Sequence, residues 1–353
     1  MSGTSLDGID VALLETDGEG VVKRGPSATF TYESWLQDLL RQAIVDAVTI
    51  TERQQRPGCT AEAEAAITYW HLEAVESFSK QHGLSESNVD VIGFHGQTVL
   101  HKPDARLTVQ LGLGQALANE TKIPVVYDMR ASDIAAGGQG APLVPIYHAA
   151  LAPTRPSAFV NIGGVGNVTF IGSGGELLAF DTGPGNALIN DWMMKHKGLT
   201  FDDGGKACFL GTISQPHLKA ALGHPYFRQK PPKSLDRNSF ASLNLNELSF
   251  ENGAATLAAF TCHSIAASAK WASEPSKQWV ICGGGRHNAA IMRGLVALLP
   301  NATSADVIGL NGDSMEAEAW AYLAVRSLKG LPLTYPGTTG VAQPLTGGVL
   351  AKP

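Results

Sequence analysis

Four glycine loops constrain this 353-residue chain more than any other feature of its sequence. They are GTSLDGID at 3–10, NIGGVGN at 161–167, FDTGPGN at 180–186 and CGGGRHN at 282–288; the first runs into a short apolar run and the others follow one. Glycine has no Cβ and reaches positive φ readily, so such loops let several backbone N–H groups converge on one anion. Glycine supplies 39 of the 353 residues, about 11% where about 7% is usual. The excess is clustered and carries no G-X-Y period, which excludes collagen.

The runs between these loops show two periodicities. Alternating or β-rich runs predict strands at 9–15, 89–94, 107–111, 124–127, 158–162, 168–171 and 279–282. Apolar residues at i, i+3, i+4 and i+7 predict helices over 35–48 and 63–78, the second closed by Gly83. Further helices are predicted after Pro184, which suits a first turn, and over 254–270, 287–299 and 314–328. Strands and helices alternate, so the fold class is α/β with a partly parallel sheet. A polar glycine turn running into a strand at 3–14 recurs at 159–171, which suggests two related lobes. The basic, proline-containing stretch 228–238 reads as an exposed loop.

Composition removes several classes. A chain 44% hydrophobic and 16% charged is not a disordered tail, and a net charge of −6 gives no basic footprint for nucleic acid. Cys59, Cys208, Cys262 and Cys282 are isolated, which argues against disulfides or a structural zinc site. The first residues show no basic start and apolar core of a secretory leader, and 253–269 is too polar for a membrane span. A cytoplasmic protein without nucleic-acid or membrane partners is expected.

The loops also hold chemistry. In the first, Thr4 and Ser5 add hydroxyls, and Asp7 and Asp10 add carboxylates suited to Mg²⁺, directly or through water. The third places Asp181 at a strand end, just before a helix; the fourth lies where an anion meets a helix N-terminus. A P-loop is excluded because Gly205-Lys206 is followed by Ala207 and lacks the upstream glycine. No G-x-G-x-x-G opens an early βαβ unit, so a dinucleotide oxidoreductase fits poorly.

Together with HGQT at 95–98 and DMRASDIAAGGQGAPLVP at 128–145, these loops resemble the anhydro-N-acetylmuramic acid kinase family, in family order through most of the chain. That family lies in the sugar kinase, heat-shock 70 and actin superfamily. The resemblance implies two ribonuclease-H-like lobes around a central cleft that binds ATP and Mg²⁺, with 1–130 and about 335–353 forming one lobe and 131–334 the other. It implies an ATP-dependent kinase that opens the 1,6-anhydro ring of 1,6-anhydro-N-acetylmuramic acid with water. Phosphorylation of O6 then gives N-acetylmuramic acid 6-phosphate and ADP in peptidoglycan recycling. It implies Asp181 as the catalytic base. For ATP it implies Gly3, Thr4, Ser5, Leu6, Asp7, Gly8, Ile9 and Asp10, then Asn161, Gly163, Gly164, Gly166 and Asn167. Gly183, Gly185, Asn186, Gly283, Gly284, Gly285 and Asn288 complete that set. For the sugar it implies His95, Gln97, Thr98, Gln110, Arg130 and Glu316, with Arg130 on the lactyl carboxylate and Asp128 and Asp133 orienting Arg130. A homodimer is the implied assembly, and Gly137, Gly138 and Gly140 mark the expected joint between lobes.

Two departures stand out. The family carries a short strand before GTSLDG, where only Met1 and Ser2 stand here, so a one-sided first hairpin is expected. The family's PKSTGRE-like loop reads PKSLDRN at 232–238, without its glycine and glutamate. Other readings are a kinase of a neutral anhydro sugar such as levoglucosan, an actin- or heat-shock-type nucleotide switch, and a glycosidase that needs no ATP.

Overall fold

The computed structural model describes residues 1–3, 6–240 and 242–353. Among them the strands, in chain order, are β1 (Gly8–Thr16), β2 (Val22–Thr31), β3 (Ile92–Gly93), β4 (Gln97–Lys102), β5 (Leu107–Leu111) and β6 (Val125–Tyr127). They continue as β7 (Ser157–Ile162), β8 (Val165–Ile171), β9 (Leu177–Pro184), β10 (Gln278–Cys282), β11 (Ala302–Ser304) and β12 (Val349–Ala351). The mixed α/β class is as expected. The chain forms two units, Met1–Leu151 with Ser314–Pro353, and Ala152–Asp313.

In the second unit the sheet order is β11-β10-β7-β8-β9. β7, β8 and β9 form an antiparallel meander, and β10 and β11 run parallel to β7. Three antiparallel strands followed by two parallel ones is the ribonuclease-H-like arrangement. β7 and β10 are the central strands, which explains their unbroken apolar character: Ala158, Phe159, Val160, Val280 and Ile281 are fully buried. Against this sheet lies the helix Phe250–Ala267, buried on nearly every face, including Ala254, Leu257, Phe260, Cys262 and Ile265. Its Ser249 cap accepts from Asn252 N–H, so a polar stop precedes an otherwise apolar segment. Among the described residues no helix is long and apolar enough to cross a membrane.

The third glycine loop corrects one expectation. Residues 180–184 continue β9, paired with 165–168 of β8, and Pro184 is the last residue of this edge strand. Proline is tolerated at an edge because no ladder N–H is needed there. The following helix, Ala187–Lys197, starts after Asn186, so Pro184 is not in its first turn.

In the first unit, β1 and β2 form a two-stranded antiparallel sheet, β12-β6-β3 a second, and β4-β5 a hairpin. The predicted helices are present as Ser34–Asp46, which buries Leu36, Leu40 and Ala43, and Thr60–His82, which buries Ala63, Ile67, Ala74 and Phe78. Each fully buried leucine contributes about 1.5–3 kcal/mol of apolar burial. Gly83 closes the second helix in the left-handed region, at φ 66°. The other edge of β1 is paired only at its start, where Ser2 bridges Ile9 and Asp10 N–H donates to Met1 O at 2.9 Å. Beyond that point a groove of about 480 Å³ separates β1 from β3, lined by Val11, Leu13, Phe78, Val91 and Ile92. The sheet of this unit is therefore divided. Residues 131–151 and 314–334 belong to this first unit.

Candidate active site

In the second unit the glycines of the loops fall into two groups when a Cβ is imagined on each. At Gly185 it would lie 2.2 Å from Gly163 O, at Gly283 2.2 Å from Asn161 Oδ1, and at Gly285 2.2 Å from Ile162 Cγ2. Real Cβ atoms do not approach so closely, and Gly283 also has φ 74°. These three glycines are demanded by chain packing. At Gly163, Gly164 and Gly284 the nearest atoms would be 3.7, 3.8 and 4.0 Å away. Among the described residues no close contact requires glycine there, and the missing side chains leave a cradle edged by backbone. That open cradle is what a phosphate approached by N–H groups needs.

Hydrogen bonds hold the cradle in place. Gly185 N–H donates to Gly164 O at 2.9 Å, Asn186 N–H to Gly163 O at 2.7 Å, and the Asn186 amide to Ile162 O at 3.2 Å. Asn288 caps the helix Ala289–Leu298, its Oδ1 accepting from Ala290 and Ile291 N–H at 3.0 and 3.1 Å. Gly166 and Asn167 lie in β8, and Asn167 stands opposite Asp181 of β9. Gly183 packs against the Ser264 side chain. Arg286, which the sequence reading passed over, braces the fourth loop. Its buried guanidinium binds Asp313 bidentately at 2.7 and 2.6 Å, Asp306 at 2.8 Å and Gly283 O at 3.1 Å. The signal was an arginine inside a glycine run, with aspartates following at 306 and 313.

Asp181 is half-buried in β9. Burial pushes its carboxyl up to about 6, opposed by one hydrogen bond, from Leu235 N–H to Oδ2 at 2.8 Å. A carboxylate with its proton affinity raised toward neutrality suits general-base work. The loop 228–238 is thus not wholly exposed: Lys233 and Leu235 turn inward onto this strand. Sequence reasoning missed both, because the bond to Asp181 comes from a backbone N–H, which leaves no trace in residue type.

In the first unit, Thr4 and Ser5 lie outside the described residues. Leu6 is buried with φ 56°, Ile9 is buried, Gly8 packs against Phe30 O across the β1–β2 pair, and Asp7 is exposed. Asp10 accepts the Thr29 hydroxyl at 2.6 Å. No cluster of three or more His, Cys, Asp or Glu side chains suited to a metal occurs among the described residues. A divalent cation at Asp7 and Asp10 would share its shell with phosphate oxygens and water, the usual habit of Mg²⁺.

The expected sugar residues gather in this unit. His95 is buried, and its Nδ1 lies 2.8 Å from Ser2 O, an acceptor only, so Nδ1 carries the proton. Its Nε2 then accepts from Arg130 Nη2 at 3.1 Å. Burial first, and the Arg130 charge second, hold His95 well below the usual histidine range, and it is neutral. Arg130 also donates from Nη1 to Gly140 O at 2.8 Å and lies 5.2 Å over the Trp320 ring. Asp133 favours the charged guanidinium of Arg130 through its own charge and also acts through Gly140. It accepts from Gly140 N–H at 2.6 Å and Thr339 Oγ1 at 2.6 Å, fixing the carbonyl that Arg130 uses. Asp128 pairs with Arg53. Gly138 and Gly140, expected at a joint, are pinned by Asp133 inside the unit. Gln97 lies on β4, and Gln110 of β5 stands opposite Thr98. Glu316 keeps an accessible side chain although protein atoms crowd around it; desolvation raises its carboxyl, with Arg130 opposing.

Three of these residues carry buried polar atoms with no partner among the described residues: Gln97 Oε1, Gln110 Oε1 and Arg130 Nε. Each such atom costs about 1–3 kcal/mol if left unmade. All three atoms belong to residues that the family resemblance assigns to the sugar.

The meander-plus-parallel sheet, with a glycine cradle on the same sheet as a half-buried carboxylate, is the architecture of the sugar kinase and actin-like class. The profile of one family, anhydro-N-acetylmuramic acid kinase, matches residues 1–352. Two proteins of that name, from Rhodopseudomonas palustris and Agrobacterium fabrum, are 53% and 50% identical to this chain. Both alignments span all of it, with 98% and 97% of the relatives covered. The chain belongs to the anhydro-N-acetylmuramic acid kinase family. Among solved structures, the activator of 2-hydroxyisocaproyl-CoA dehydratase from Clostridium difficile with bound ADPNP aligns over 91% of this chain and 96% of that one. Its TM-score is 0.44 at 12% identity, too low for the likeness to inform the site.

Proposed function

We propose that this chain phosphorylates 1,6-anhydro-N-acetylmuramic acid at O6 with hydrolytic opening of the anhydro ring, using ATP. The single observation that carries the residue assignment is the set of unpartnered buried atoms on Gln97, Gln110 and Arg130. The Gln97 and Gln110 carbonyl oxygens accept from sugar hydroxyls or the acetamido N–H. Arg130, held by His95, Gly140 and Trp320, offers Nε to the lactyl carboxylate as part of a planar fork. His95 acts through Arg130, since both of its nitrogens are engaged. Thr98 and Glu316 complete the sugar contacts.

Asp181 takes a proton from the water that attacks C1. The C1–O6 bond breaks toward O6, and O6 forms its new bond to the γ-phosphorus as ADP leaves. A glycosidase needs a second carboxylic acid to protonate the leaving oxygen; here the phosphoryl group captures it, so one carboxylate suffices. Gly163, Gly164 and Gly284 present backbone to the phosphates, and Gly3, Leu6, Asp7, Gly8, Ile9 and Asp10 are the remaining ATP residues. Asp7 and Asp10 would hold Mg²⁺, directly or through water, and the ion would supply charge neutralisation. A cytoplasmic homodimer in cell-wall recycling is the setting this chemistry fits. The test is product mass in ¹⁸O-water with ATP and Mg²⁺. The expected product carries one ¹⁸O at C1 and phosphate at O6; sugar turnover without ATP would overturn the kinase reading.

A further inference from the structure

The segment following Asp181's partner residue Tyr226 has no role in the reaction described so far, yet it grips Asp181 at three points. Tyr226 Oη donates to the Asp181 main-chain carbonyl, Asp181 N–H donates to Lys233 O at 3.1 Å, and Leu235 N–H donates to Asp181 Oδ2 at 2.8 Å. Lys233 in turn closes the segment on itself. Its ammonium donates to Tyr226 O at 3.0 Å and lies 4.1 Å over the Tyr226 ring, 5.6 Å over Phe180 and 5.9 Å over Trp271. An ammonium held by one carbonyl and three ring faces is a strong fastener for a segment whose regular structure ends with the 3₁₀ turn Pro225–Arg228. Lys270 ties the start of the segment through Phe227 O at 2.7 Å.

We propose that residues 226–235 form a clasp that positions Asp181 for proton abstraction: Leu235 N–H occupies Oδ2, leaving Oδ1 as the oxygen that takes the proton from water. The inference rests on the reading of Asp181 as the base. Leu235 and Lys233 are positioning residues, and neither touches the reacting atoms. Among the described residues the Leu235 bond is the one hydrogen bond to this carboxylate. The other groups facing Asp181 are the Tyr226 hydroxyl, which is engaged on the main chain, the Lys233 ammonium, which is turned onto the rings, and neutral Asn167 across the ladder. A carboxylate that loses its only N–H donor rotates more freely and holds its proton more tightly, so the clasp lowers the pH at which the base works.

The test removes one atom group. A backbone ester at Leu235, using the α-hydroxy analogue of leucine, deletes the N–H and keeps the side chain; the same ester at Ser234, whose N–H makes no bond to Asp181, is the control. The Leu235 ester is expected to lower kcat by about tenfold with KM for ATP and sugar little changed, and to move the acid limb of kcat up by about one pH unit. The Ser234 ester is expected to leave both in place. An unchanged acid limb and kcat in the Leu235 ester overturns the clasp. Lys233→Met, which keeps the stem on the rings and loses the ammonium, should reproduce the kcat loss in part; wild-type kcat and acid limb in this variant also count against it. Asp181→Asn separates the two readings. Full turnover in Asp181→Asn removes the base and the clasp together, whereas an inactive Asp181→Asn beside an unaffected Leu235 ester removes the clasp alone.

Discussion

Alanine at Gly284 and alanine at Gly285 should fail in opposite ways, although the two positions are adjacent. At Gly285 the new methyl would lie 2.2 Å from Ile162 Cγ2 and 2.6 Å from its Cβ. Ile162 is fully buried in β7 and cannot yield. Overpacking of that kind costs about 1–3 kcal/mol. At roughly 2–4 °C per kcal/mol for a unit of this size, Tm should fall by roughly 2–12 °C. At Gly284 the nearest atom to the new methyl is Asn186 Nδ2 at 4.0 Å, so the fold accepts it. The unfolded chain loses some freedom, and stability should be unchanged or higher by up to about 1 kcal/mol. The methyl does, however, stand in the cradle. Displacing a phosphate from even one backbone N–H forfeits a charge-assisted bond, about 1.5–3 kcal/mol, or roughly 10–150-fold in affinity. Scanning calorimetry without nucleotide and calorimetric titration with a non-hydrolysable ATP analogue separate the two effects. Wild-type affinity in Gly284→Ala would refute the cradle, and an unchanged Tm in Gly285→Ala would refute the packing argument.

Arg130→Ala should lower kcat/KM for 1,6-anhydro-N-acetylmuramic acid by roughly 10–150-fold, the worth of a charge-assisted bond to its carboxylate. The neutral probe levoglucosan should be affected much less, and equal losses on the two sugars would remove the carboxylate from Arg130. Asp181→Asn should stabilise the protein in a pH-dependent way. The folded carboxyl is raised from 3.8 to about 6, so ionisation is harder in the folded state. Its favourable contribution is complete below about pH 4 and lost as pH rises through about 6. A shift of about two units corresponds to about 3 kcal/mol before allowing for partial exposure. The variant's Tm should therefore exceed wild type at pH 8 and match it near pH 4; a constant difference across that range would contradict burial as the cause.

What the sequence made legible, and what it did not, follows from where each constraint is written. Helices such as Ser34–Asp46 and Thr60–His82 were readable because a single face is apolar and Gly83 marks a left-handed stop. The central strands β7 and β10 were readable because burial on both faces leaves an unbroken apolar run. β2, β4 and the end of β9 were not, because their residues show no apolar alternation and only pairing with the preceding or following strand of the same hairpin holds them as strands. The loops were legible as glycine clusters, but not which glycine faces a ligand. That distinction depends on what a Cβ would meet, and the neighbours at issue, such as Ile162 for Gly285, come from another strand.

The same logic explains the site. Gln97, Gln110 and Arg130 could be named from motifs, yet their unpartnered buried atoms are properties of the fold, since they depend on which groups the surroundings fail to supply. His95 shows the reverse case. Its residue type suggests a direct ligand or an acid–base group, but the Ser2 carbonyl fixes its tautomer and Arg130 occupies the remaining nitrogen. It is therefore a neutral brace for the Arg130 guanidinium. Asp133 stands one step further back, holding Gly140 so that its carbonyl can receive Arg130. A motif such as HGQT or DMR thus compresses two kinds of residue, those whose bonds the fold has completed and those it has left incomplete. The hydrogen bonds separate the two kinds where residue identity does not.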